Sequence, residues 1–425
     1  MNCLKHPIHD FYYKKNELYC ENVKVSSIVK QIGSPLYIYS HHTLVEHYRK
    51  IVAAFKAVDP IVCFAMKANS NLAVLKTLVN EGAGFDIVSG GELQKARLVK
   101  ADMSRIVYAS VGKTDQEIVD AIKSRILLFN VESLPELKNI NRIAGIMKKS
   151  VQVALRVNPD IDAPTHEKIN TGSLKKKFGI DLKTARAIFL DQVKYRHVRI
   201  NGVHIHIGSQ ITQGSPFVAA IKKTLAFVDA LDAAGVKIEY FDIGGGLGIF
   251  YKDEMPQTAV EYAKKILPLL HGRKFRLIME PGRFIVGNAG IFITKKLYIK
   301  DNGVKKFMIV DAGMNDLVRP SMYGAYHEII PLKVSKAKKV MCDVVGPICE
   351  SGDVFAYDRD VADVKDGEYL ALLSAGAYGY SMSSNYNVRP RVAEVMVKDS
   401  QWALVQERET FKELVAGSHI PEFVR

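Results

Sequence analysis

The sequence predicts an α/β chain in which a (β/α)₈ barrel is followed by an all-β domain. Strand-like apolar runs alternate with amphipathic helices over roughly 250 residues, which is typical of such a barrel. The runs lie near 61–67, 85–88, 105–109, 126–129, 151–157, 200–207, 239–243 and 276–279. Helical periodicity is clearest at 114–124, 182–193, 218–234 and 258–270. A doubly wound open sheet is the alternative, but that fold needs no eighth unit.

The pattern changes after about residue 285, where further strands are predicted without helices between them. These strands lie near 291–299, 306–310, 339–345, 369–374 and 392–397, with Asp301-Asn302-Gly303 as a hairpin turn. Residues 1–35 are strand-prone and aromatic, but they are too few to form a core alone. We therefore predict N-terminal strands at 1–35 that pack on and complete the β domain, a barrel at 36–285 and the β domain at 286–425.

Composition indicates a globular chain in a reducing compartment. The 425 residues are 48% apolar and carry a net charge of +14, which is spread along the chain rather than interleaved with aromatic residues. This distribution supports a nucleic-acid surface only weakly, and attraction of anionic small molecules explains the charge equally well. The five cysteines form no C-x-x-C pair, and no apolar run has membrane-spanning length. We expect a cytoplasmic protein that binds neither nucleic acid nor membrane.

Polar residues and glycines recur where the predicted barrel strands end. The carboxyl ends of barrel strands are where this fold keeps its chemistry. A single lysine at such a place is more often a solvated side chain, but the recurrence at several strand ends predicts one common site. The residues concerned are Lys67, Asp86, Ser89, Arg156, Asn158, His204, His206, Ser209, Asp242, Gly244, Gly245, Gly246, Glu280, Gly282 and Arg283.

The three consecutive glycines allow a loop backbone to approach an anion such as phosphate. Gly-rich turns are common, and no acidic strand end follows at the spacing of a dinucleotide fingerprint. His204 and His206 alternate onto one strand face. They could form a metal pair, or one could be a packed core histidine and the other a stacking residue. Without a second His-rich strand end we favour the interpretation without metal.

This combination of residues suits pyridoxal 5′-phosphate (PLP). The amine of Lys67 can carry the cofactor, and the glycines can take its phosphate. A histidine can lie against the ring, and Glu280 can keep the ring nitrogen protonated. A protonated ring is the electron sink that loss of CO₂ requires, whereas an arginine in that place would suit racemisation better. The carboxylate therefore favours decarboxylation.

Longer motifs resemble a known family. The runs Phe64-Ala-Met-Lys67-Ala-Asn69, His204-Ile-His206-Ile-Gly208-Ser209, Gly244-Gly245-Gly246 and Glu280-Pro281-Gly282-Arg283 resemble the fold-type III PLP-dependent decarboxylases. Four other runs resemble, more narrowly, the diaminopimelate decarboxylase family within that group. They are Asn170-Thr-Gly172, Asp311 to Tyr323, Cys349-Glu350-Ser351-Gly352-Asp353 and Tyr378 to Asn387. The resemblance covers about residues 36–400.

The resemblance implies a role for each matching residue. The cofactor residues are Lys67, His206, Ser209, Gly245, Glu280, Gly282, Arg283 and Tyr378. Substrate binding falls to Arg283, Arg319, Tyr323, Glu350 and Tyr378, and the two arginines suit recognition of a carboxylate. Catalysis falls to Lys67, His206, Glu280 and Cys349, with Cys349 as general acid at the α-carbon. Cys349 and Glu350 are expected to come from the other subunit of a head-to-tail homodimer.

The activity that the resemblance implies is decarboxylation of meso-2,6-diaminopimelate to L-lysine and CO₂, the last step of lysine biosynthesis. Rival activities on the same scaffold are decarboxylation of ornithine, arginine or carboxynorspermidine. Basic amino acids would favour an acidic group at the position of Arg319. A non-catalytic PLP-binding barrel and a metal-dependent barrel hydrolase are further alternatives. Residues 160–178 are a candidate lid.

Overall fold

The computed structural model describes residues 9–161, 177–334 and 338–424. They form two compact units, one of Val45–Ile285 and the other of Met1–Leu44 with Val286–Arg425. The motif Asn170-Thr-Gly172 and residues 162–176 of the candidate lid lie outside the described residues. In the described part of the chain, no helix is long and apolar enough to cross a membrane.

The unit Val45–Ile285 is a closed barrel of parallel strands, which we number β1 to β8. Each strand pairs with the next along the chain, and β8 pairs with β1 to close the ring. The predicted barrel is therefore confirmed, and every predicted strand is found close to its expected position. The strands are Ile61–Ala65 (β1), Gly84–Ile87 (β2), Ile106–Tyr108 (β3), Leu128–Val131 (β4), Val151–Asn158 (β5), Val198–His204 (β6), Tyr240–Asp242 (β7) and Arg276–Met279 (β8).

Helices connect the strands, and several begin at a side-chain cap. Ser89, Thr114, Ser133 and Thr258 each accept a hydrogen bond from the backbone N–H three residues later, which satisfies a donor that the first helical turn leaves unpaired. One helix precedes β1 and the others follow the strands in turn. The helices are His41–Ala54, Leu72–Asn80, Gly90–Leu98, Asp115–Ser124, Leu134–Ile146, Leu182–Leu190, Ser215–Ala233, Ala259–Leu270 and Arg283–Val286.

The barrel strands are apolar because both of their faces are covered. All residues of β1 are buried, and Ile61 and Cys63 pack with Val107, Leu128 and Ile278 from other strands. The strand interior is therefore a filled core, and polar side chains are left to the strand ends.

The second unit is built on an antiparallel and mixed sheet. In spatial order its main strands are Val354–Ala362, Lys339–Val345, Lys306–Val310, Gly290–Asp301, Leu36–Ser40, Ala393–Lys398 and Gln401–Gln406. Tyr369–Leu372 pairs with both Gly290–Asp301 and Ile329–Pro331. The predicted hairpin at Asp301-Asn302-Gly303 is present, and Gly303 adopts φ 83° there. Short helices lie at Val25–Ile32, Arg319–Tyr323 and Phe411–Val415.

N-terminal strands complete this unit, as the fold class predicts. Phe11–Lys14, Glu17–Cys20 and Val23–Lys24 form a small sheet of their own, and the Leu18 N–H donates to the Leu332 carbonyl at 2.8 Å. The larger contribution is Leu36–Ser40, which pairs with Gly290–Asp301 on one side and Ala393–Lys398 on the other. Because of this pairing, the boundary between the units lies after Leu44, not at the expected residue 36.

A buried ion pair in the barrel gives a test of what stabilises it. Lys113 is completely buried, and its ammonium donates to Glu136 at 2.6 Å and to the backbone carbonyls of Ser110 and Asn130. In Lys113→Met, Glu136 would be left as an uncompensated buried charge. We expect the free energy of unfolding of the barrel to fall by about 3 to 5 kcal/mol, measured by urea denaturation.

The control is Lys194→Met, because Lys194 forms an exposed pair with Asp191 at 2.7 Å. Exposed pairs contribute little to stability, so this variant should unfold at nearly the wild-type urea concentration. Equal urea midpoints for the two variants would contradict the importance given to the buried pair.

Candidate active site

Lys67 follows β1 and points to a buried acid on the next strand. Its Nζ lies 2.6 Å from Asp86 Oδ2, and Asp86 is completely buried whereas the lysine side chain is about one-third exposed. Burial raises the pKa of Asp86 to about 6, and repulsion from Glu280 adds to the rise although Lys67 opposes it. The amine is therefore fixed at a strand end and remains accessible.

The glycine loop, which we define as Gly244-Gly245-Gly246, follows β7 and lies directly against the end of β8. A Cβ on Gly245 would lie 2.1 Å from the carbonyl oxygen of Glu280, so only glycine fits there. Gly244 and Gly246 adopt φ of 66° and 106°, values that other residues rarely adopt. The loop thus presents main chain rather than side chains to whatever binds beside it.

Ser209 and Arg283 meet beside this loop. One guanidinium nitrogen of Arg283, Nη2, donates to Ser209 Oγ at 3.1 Å, and Nη1 donates to the hydroxyl of Tyr251 at 2.6 Å. Arg283 is almost fully buried. A buried guanidinium next to a hydroxyl and a glycine loop is a good setting for an anion such as phosphate.

His206 lies in the loop after β6, because the strand ends at His204. The sequence alternation indicated that His204 and His206 share one strand face, but this is wrong, because only His204 lies on the strand. The Gly245 N–H donates to His206 Nδ1 at 3.3 Å, so the ring hydrogen lies on Nε2. Burial lowers the pKa of His206 well below its ordinary value, and the nearby cations of Arg156 and Lys67 lower it further. The imidazole is neutral and suited to stacking on a planar ring.

Glu280 follows β8 and is held by side chains from across the barrel. His204 Nε2 lies 3.3 Å from Glu280 Oε2, and the Asn130 amide donates to Glu280 Oε1 at 3.0 Å and to Asp242 Oδ2 at 3.2 Å. Burial raises the pKa of Glu280, but the nearness of His204 and Lys67 lowers it more, so that the net pKa is below the ordinary value. Glu280 is accordingly a charged carboxylate.

The same cluster bears on the question of a metal. Ligand atoms of His204, Asp242 and Glu280 all lie within 4.8 Å of one another, so distance alone would permit a cation. The Asn130 amide, however, directs its N–H groups at both carboxylates, which places hydrogens where a cation would need to bind. Asn130 was not singled out in the sequence, although a polar residue within the otherwise apolar β4 is a usable signal.

The other predicted residues lie on loops and on one short helix of the sheet unit. Cys349 and Glu350 are exposed in the thiol loop, which we define as residues 348–353. The Cys349 N–H of this loop donates to Oδ1 of Asn387, which lies outside the loop, at 2.8 Å. The Gly352 N–H donates to Glu350 Oε1 at 3.2 Å. The buried Asp353 accepts from Ile348 and Met314 at 2.7 and 2.6 Å. These bonds fix the backbone that presents the thiol.

Arg319 is nearly fully buried and contacts a residue that the sequence did not reveal. Its Nη1 lies 2.9 Å from His327 Nε2, and His327 Nδ1 lies 2.8 Å from the Leu373 carbonyl. Because a carbonyl only accepts, Nδ1 carries the hydrogen and Nε2 is left to accept from the guanidinium. His327 thereby fixes the orientation of the Arg319 guanidinium. Tyr323 closes the same short helix, and Tyr378 adopts φ 56° in the loop after Tyr369–Leu372.

Comparison with known proteins identifies the class to which this arrangement belongs. Residues 41–287 match the family described as "Pyridoxal-dependent decarboxylase, pyridoxal binding domain". The match covers the whole barrel, including Lys67, the glycine loop and Glu280. The chain is thus a pyridoxal-dependent decarboxylase, and its cofactor is pyridoxal 5′-phosphate.

Full-length relatives narrow the assignment. The chain is 48% identical over 407 residues to diaminopimelate decarboxylase of Aquifex aeolicus, covering 96% of both chains. Diaminopimelate decarboxylase of Helicobacter pylori, solved with L-lysine, is 39% identical with a TM-score of 0.89, covering 92% of this chain and 98% of that one. The M. jannaschii enzyme, also with L-lysine, is 38% identical with a TM-score of 0.92, covering 97% and 98%. The chain belongs to the diaminopimelate decarboxylase family.

A titratable group near Lys67 makes stability depend on pH. Glu92 accepts a hydrogen bond from the Val88 N–H, and burial raises its pKa from 4.5 to about 7. Between these pH values the folded protein retains a proton that the unfolded chain has released. The contribution of Glu92 to stability is therefore greatest at low pH and declines as the pH rises through 7. Glu92→Gln should remove this dependence.

Urea midpoints at pH 5 and pH 8 measure the effect. Between these pH values the wild type should lose about 1 to 3 kcal/mol relative to Glu92→Gln. The control is Glu261→Gln, which alters an exposed helix cap. Hydrogen bonds from Thr258 lower the pKa of Glu261, so Glu261 titrates below pH 5. Parallel pH profiles for the wild type and Glu92→Gln would contradict the prediction.

Proposed function

We propose that this chain decarboxylates meso-2,6-diaminopimelate to L-lysine and CO₂, the last step of lysine biosynthesis. The observation that carries the proposal is near full-length identity of 48% to a relative named diaminopimelate decarboxylase. Two solved relatives bind L-lysine, which is the product of this reaction. The guanidinium of Arg319, oriented by His327, supports a substrate whose distal end carries a carboxylate.

The described residues fit the cofactor. The glycine loop leaves no room for a Cβ at Gly245, and the adjoining Arg283 and Ser209 supply donors suited to a phosphate. We propose that Gly245, Gly282, Ser209, Arg283 and Tyr378 hold the phosphate group. In the same proposal Lys67 is the point of covalent attachment, His206 stacks on the ring, and Glu280 pairs with its nitrogen.

Pyridoxal 5′-phosphate, when bound, supplies the electron sink that accepts the electron pair left by the departing carboxylate. The chain contributes position, charge and a proton. Glu280 remains negative in the barrel and can hold a proton on the ring nitrogen. The neutral His206 adds no positive charge to the ring face. Cys349 then gives the proton of its thiol to the α-carbon and recovers one from water, so that hydrogen replaces the lost CO₂.

We further propose a cytoplasmic homodimer in which Cys349 and Glu350 of each subunit complete the site of the other. Both residues are exposed on the thiol loop, and their backbone is already fixed within the subunit by Asn387 and Asp353. The four cysteines in the described part of the chain are free thiols, which is consistent with a reducing compartment. Arg319 and Tyr323 are proposed to bind the distal end of the substrate with Glu350, and Arg283 and Tyr378 to contact the substrate as well as the cofactor.

Substrate turnover tests the proposed activity. We expect CO₂ release from meso-diaminopimelate and much slower release from ornithine, arginine and carboxynorspermidine, because the basic amino acids lack the distal carboxylate that Arg319 would bind. The stereoisomers of diaminopimelate should be compared in the same assay. Faster turnover of ornithine than of diaminopimelate would overturn the substrate assignment. A colourless protein that chelators inactivate would instead favour a metal-dependent hydrolase.

Subunit mixing tests the shared site. Lys67→Ala should abolish turnover, and Cys349→Ala should slow it by roughly two to four orders of magnitude, the usual effect of losing a general acid. If the two variants re-assort at random, half of the dimers are mixed, and each mixed dimer regains one intact site. Activity should then recover to about one quarter of the wild-type value.

The matched control mixes Lys67→Ala with Glu280→Gln. Both changes lie in the barrel unit, so no mixed dimer regains an intact barrel site, and no recovery is expected. If Lys67→Ala and Cys349→Ala also fail to complement each other after subunit exchange has been verified, the shared-site model is wrong.

A further inference from the structure

Glu280 is surrounded by more titratable groups than its proposed contact with the ring nitrogen explains. Its carboxylate is almost fully buried. The titratable groups that influence it or are influenced by it come from several strands and the loops that follow them. They are Cys63 and Lys67 from β1, Asp86 from β2, His204 and His206 from β6, and Asp242 from β7. The charge of Glu280 is therefore decided by its neighbours.

His204 and Asn130 each lie close to one oxygen of the Glu280 carboxylate. His204 is 1% exposed, and its Nε2 lies 3.3 Å from one carboxylate oxygen. Asn130 is completely buried, and its amide donates to the other oxygen at 3.0 Å. Each oxygen of Glu280 thus has its own polar neighbour, a histidine of β6 at ion-pair distance and an amide donor of β4. Two contacts from different strands restrict both the position and the rotation of the carboxylate.

Asn130 also connects Glu280 to the glycine loop. The second N–H of its amide donates to Asp242 Oδ2 at 3.2 Å, and Asp242 Oδ1 accepts from the Gly244 N–H at 2.8 Å. The charged Glu280 favours this orientation of the amide, because Glu280 accepts from the amide nitrogen and would repel the amide oxygen. One buried amide therefore bridges the acid assigned to the ring nitrogen and the loop assigned to the phosphate.

The charges in this cluster are distributed unequally. Burial and the nearness of Glu280 raise the pKa of Asp242 well above its ordinary value, which favours its neutral form. Among the effects on Glu280, burial raises its pKa, and the largest opposing influence is His204. Charging two adjacent buried carboxyl groups together is costly, and the nearness of His204 favours Glu280 as the charged one.

We propose that His204 and Asn130 are positioning residues that keep the Glu280 carboxylate charged and correctly oriented for its partner in the cofactor ring. The inference rests on the proposed role of Glu280. It assigns a function to His204, which the sequence alone left as either a packed core residue or a metal ligand. It also assigns a function to Asn130, for which the sequence predicted no role.

The test follows the protonation of the ring nitrogen directly. Holoenzyme is prepared with cofactor labelled with ¹⁵N in the ring, and the ¹⁵N chemical shift is recorded against pH for the wild type, His204→Gln and Asn130→Leu. In both variants the ring nitrogen should lose its proton at a pH lower by about one unit or more, since one unit is a tenfold change in proton affinity. Turnover should fall about tenfold or more with KM little changed, as expected when ground-state binding is retained.

Two further variants make every outcome decisive. Glu280→Gln calibrates the shift that follows from loss of the carboxylate. Asn201→Ala is the matched control, because Asn201 is a buried amide on β6 that donates to Gln152 and Glu239, away from Glu280. It should lower stability and leave the ring nitrogen titration at the wild-type pH. Asn130→Ser replaces Asn130→Leu if the latter does not fold.

The possible results separate this inference from the proposed function. A shift in Glu280→Gln together with shifts in the His204 and Asn130 variants supports the inference. A shift in Glu280→Gln alone overturns it and leaves the role of Glu280 intact. An unshifted titration in Glu280→Gln overturns both the inference and the role of Glu280. Equal shifts in the Asn201 control and the His204 variant would reduce His204 to a structural residue.

Discussion

Closure of the parallel barrel is the constraint on which the site depends. Pairing of β4 with β5 and of β8 with β1 completes the ring, so all eight carboxyl ends meet at one edge. Asn130 and Glu280 become hydrogen-bonded although they are 150 residues apart in the sequence. Ordering so long a segment costs more conformational entropy than a single hydrogen bond can offset. Burial of the apolar side chains of the strands offsets this cost. The polar contacts at the strand ends follow from the barrel geometry that this packing sets.

Electrostatics within this ring explain why the residue types matter individually. Asp86, Asp242 and Glu280 are all buried, and a buried carboxylate is expensive unless a donor or cation compensates it. Lys67 compensates Asp86, and His204 with Asn130 compensates Glu280. Burial and the nearby Glu280 raise the pKa of Asp242, which favours its neutral form and so lowers this cost. The same burial keeps His206 neutral. One edge of the barrel thus holds an accessible amine, a neutral imidazole and a charged carboxylate.

In the sheet unit, hydrogen-bond partners hold the thiol loop and Arg319 in position. Asp353 and Asn387 accept backbone N–H groups of the thiol loop, and His327 accepts from Arg319 while donating to a carbonyl. These partners do no chemistry in the proposed reaction. They restrict the conformations of the thiol loop and of Arg319, which is an advantage if these residues bind substrate as proposed, because a preorganised site loses less conformational entropy on binding.

The sequence by itself determined the barrel, the sheet unit, the class of cofactor and the position of each motif, because strand and helix periodicity and motif residues are local properties. It placed the eight strands correctly, and it correctly indicated that Lys67, the glycine loop and Glu280 share one edge. Tertiary structure alone decided that Leu36–Ser40 belongs to the sheet unit and that β6 ends before His206. It also decided the partners of two charged groups. Asn130 and His204 contact Glu280, and His327 contacts Arg319. Strand pairing and side-chain contacts join residues far apart in the chain, and no local pattern records which distant partner a buried polar group will meet.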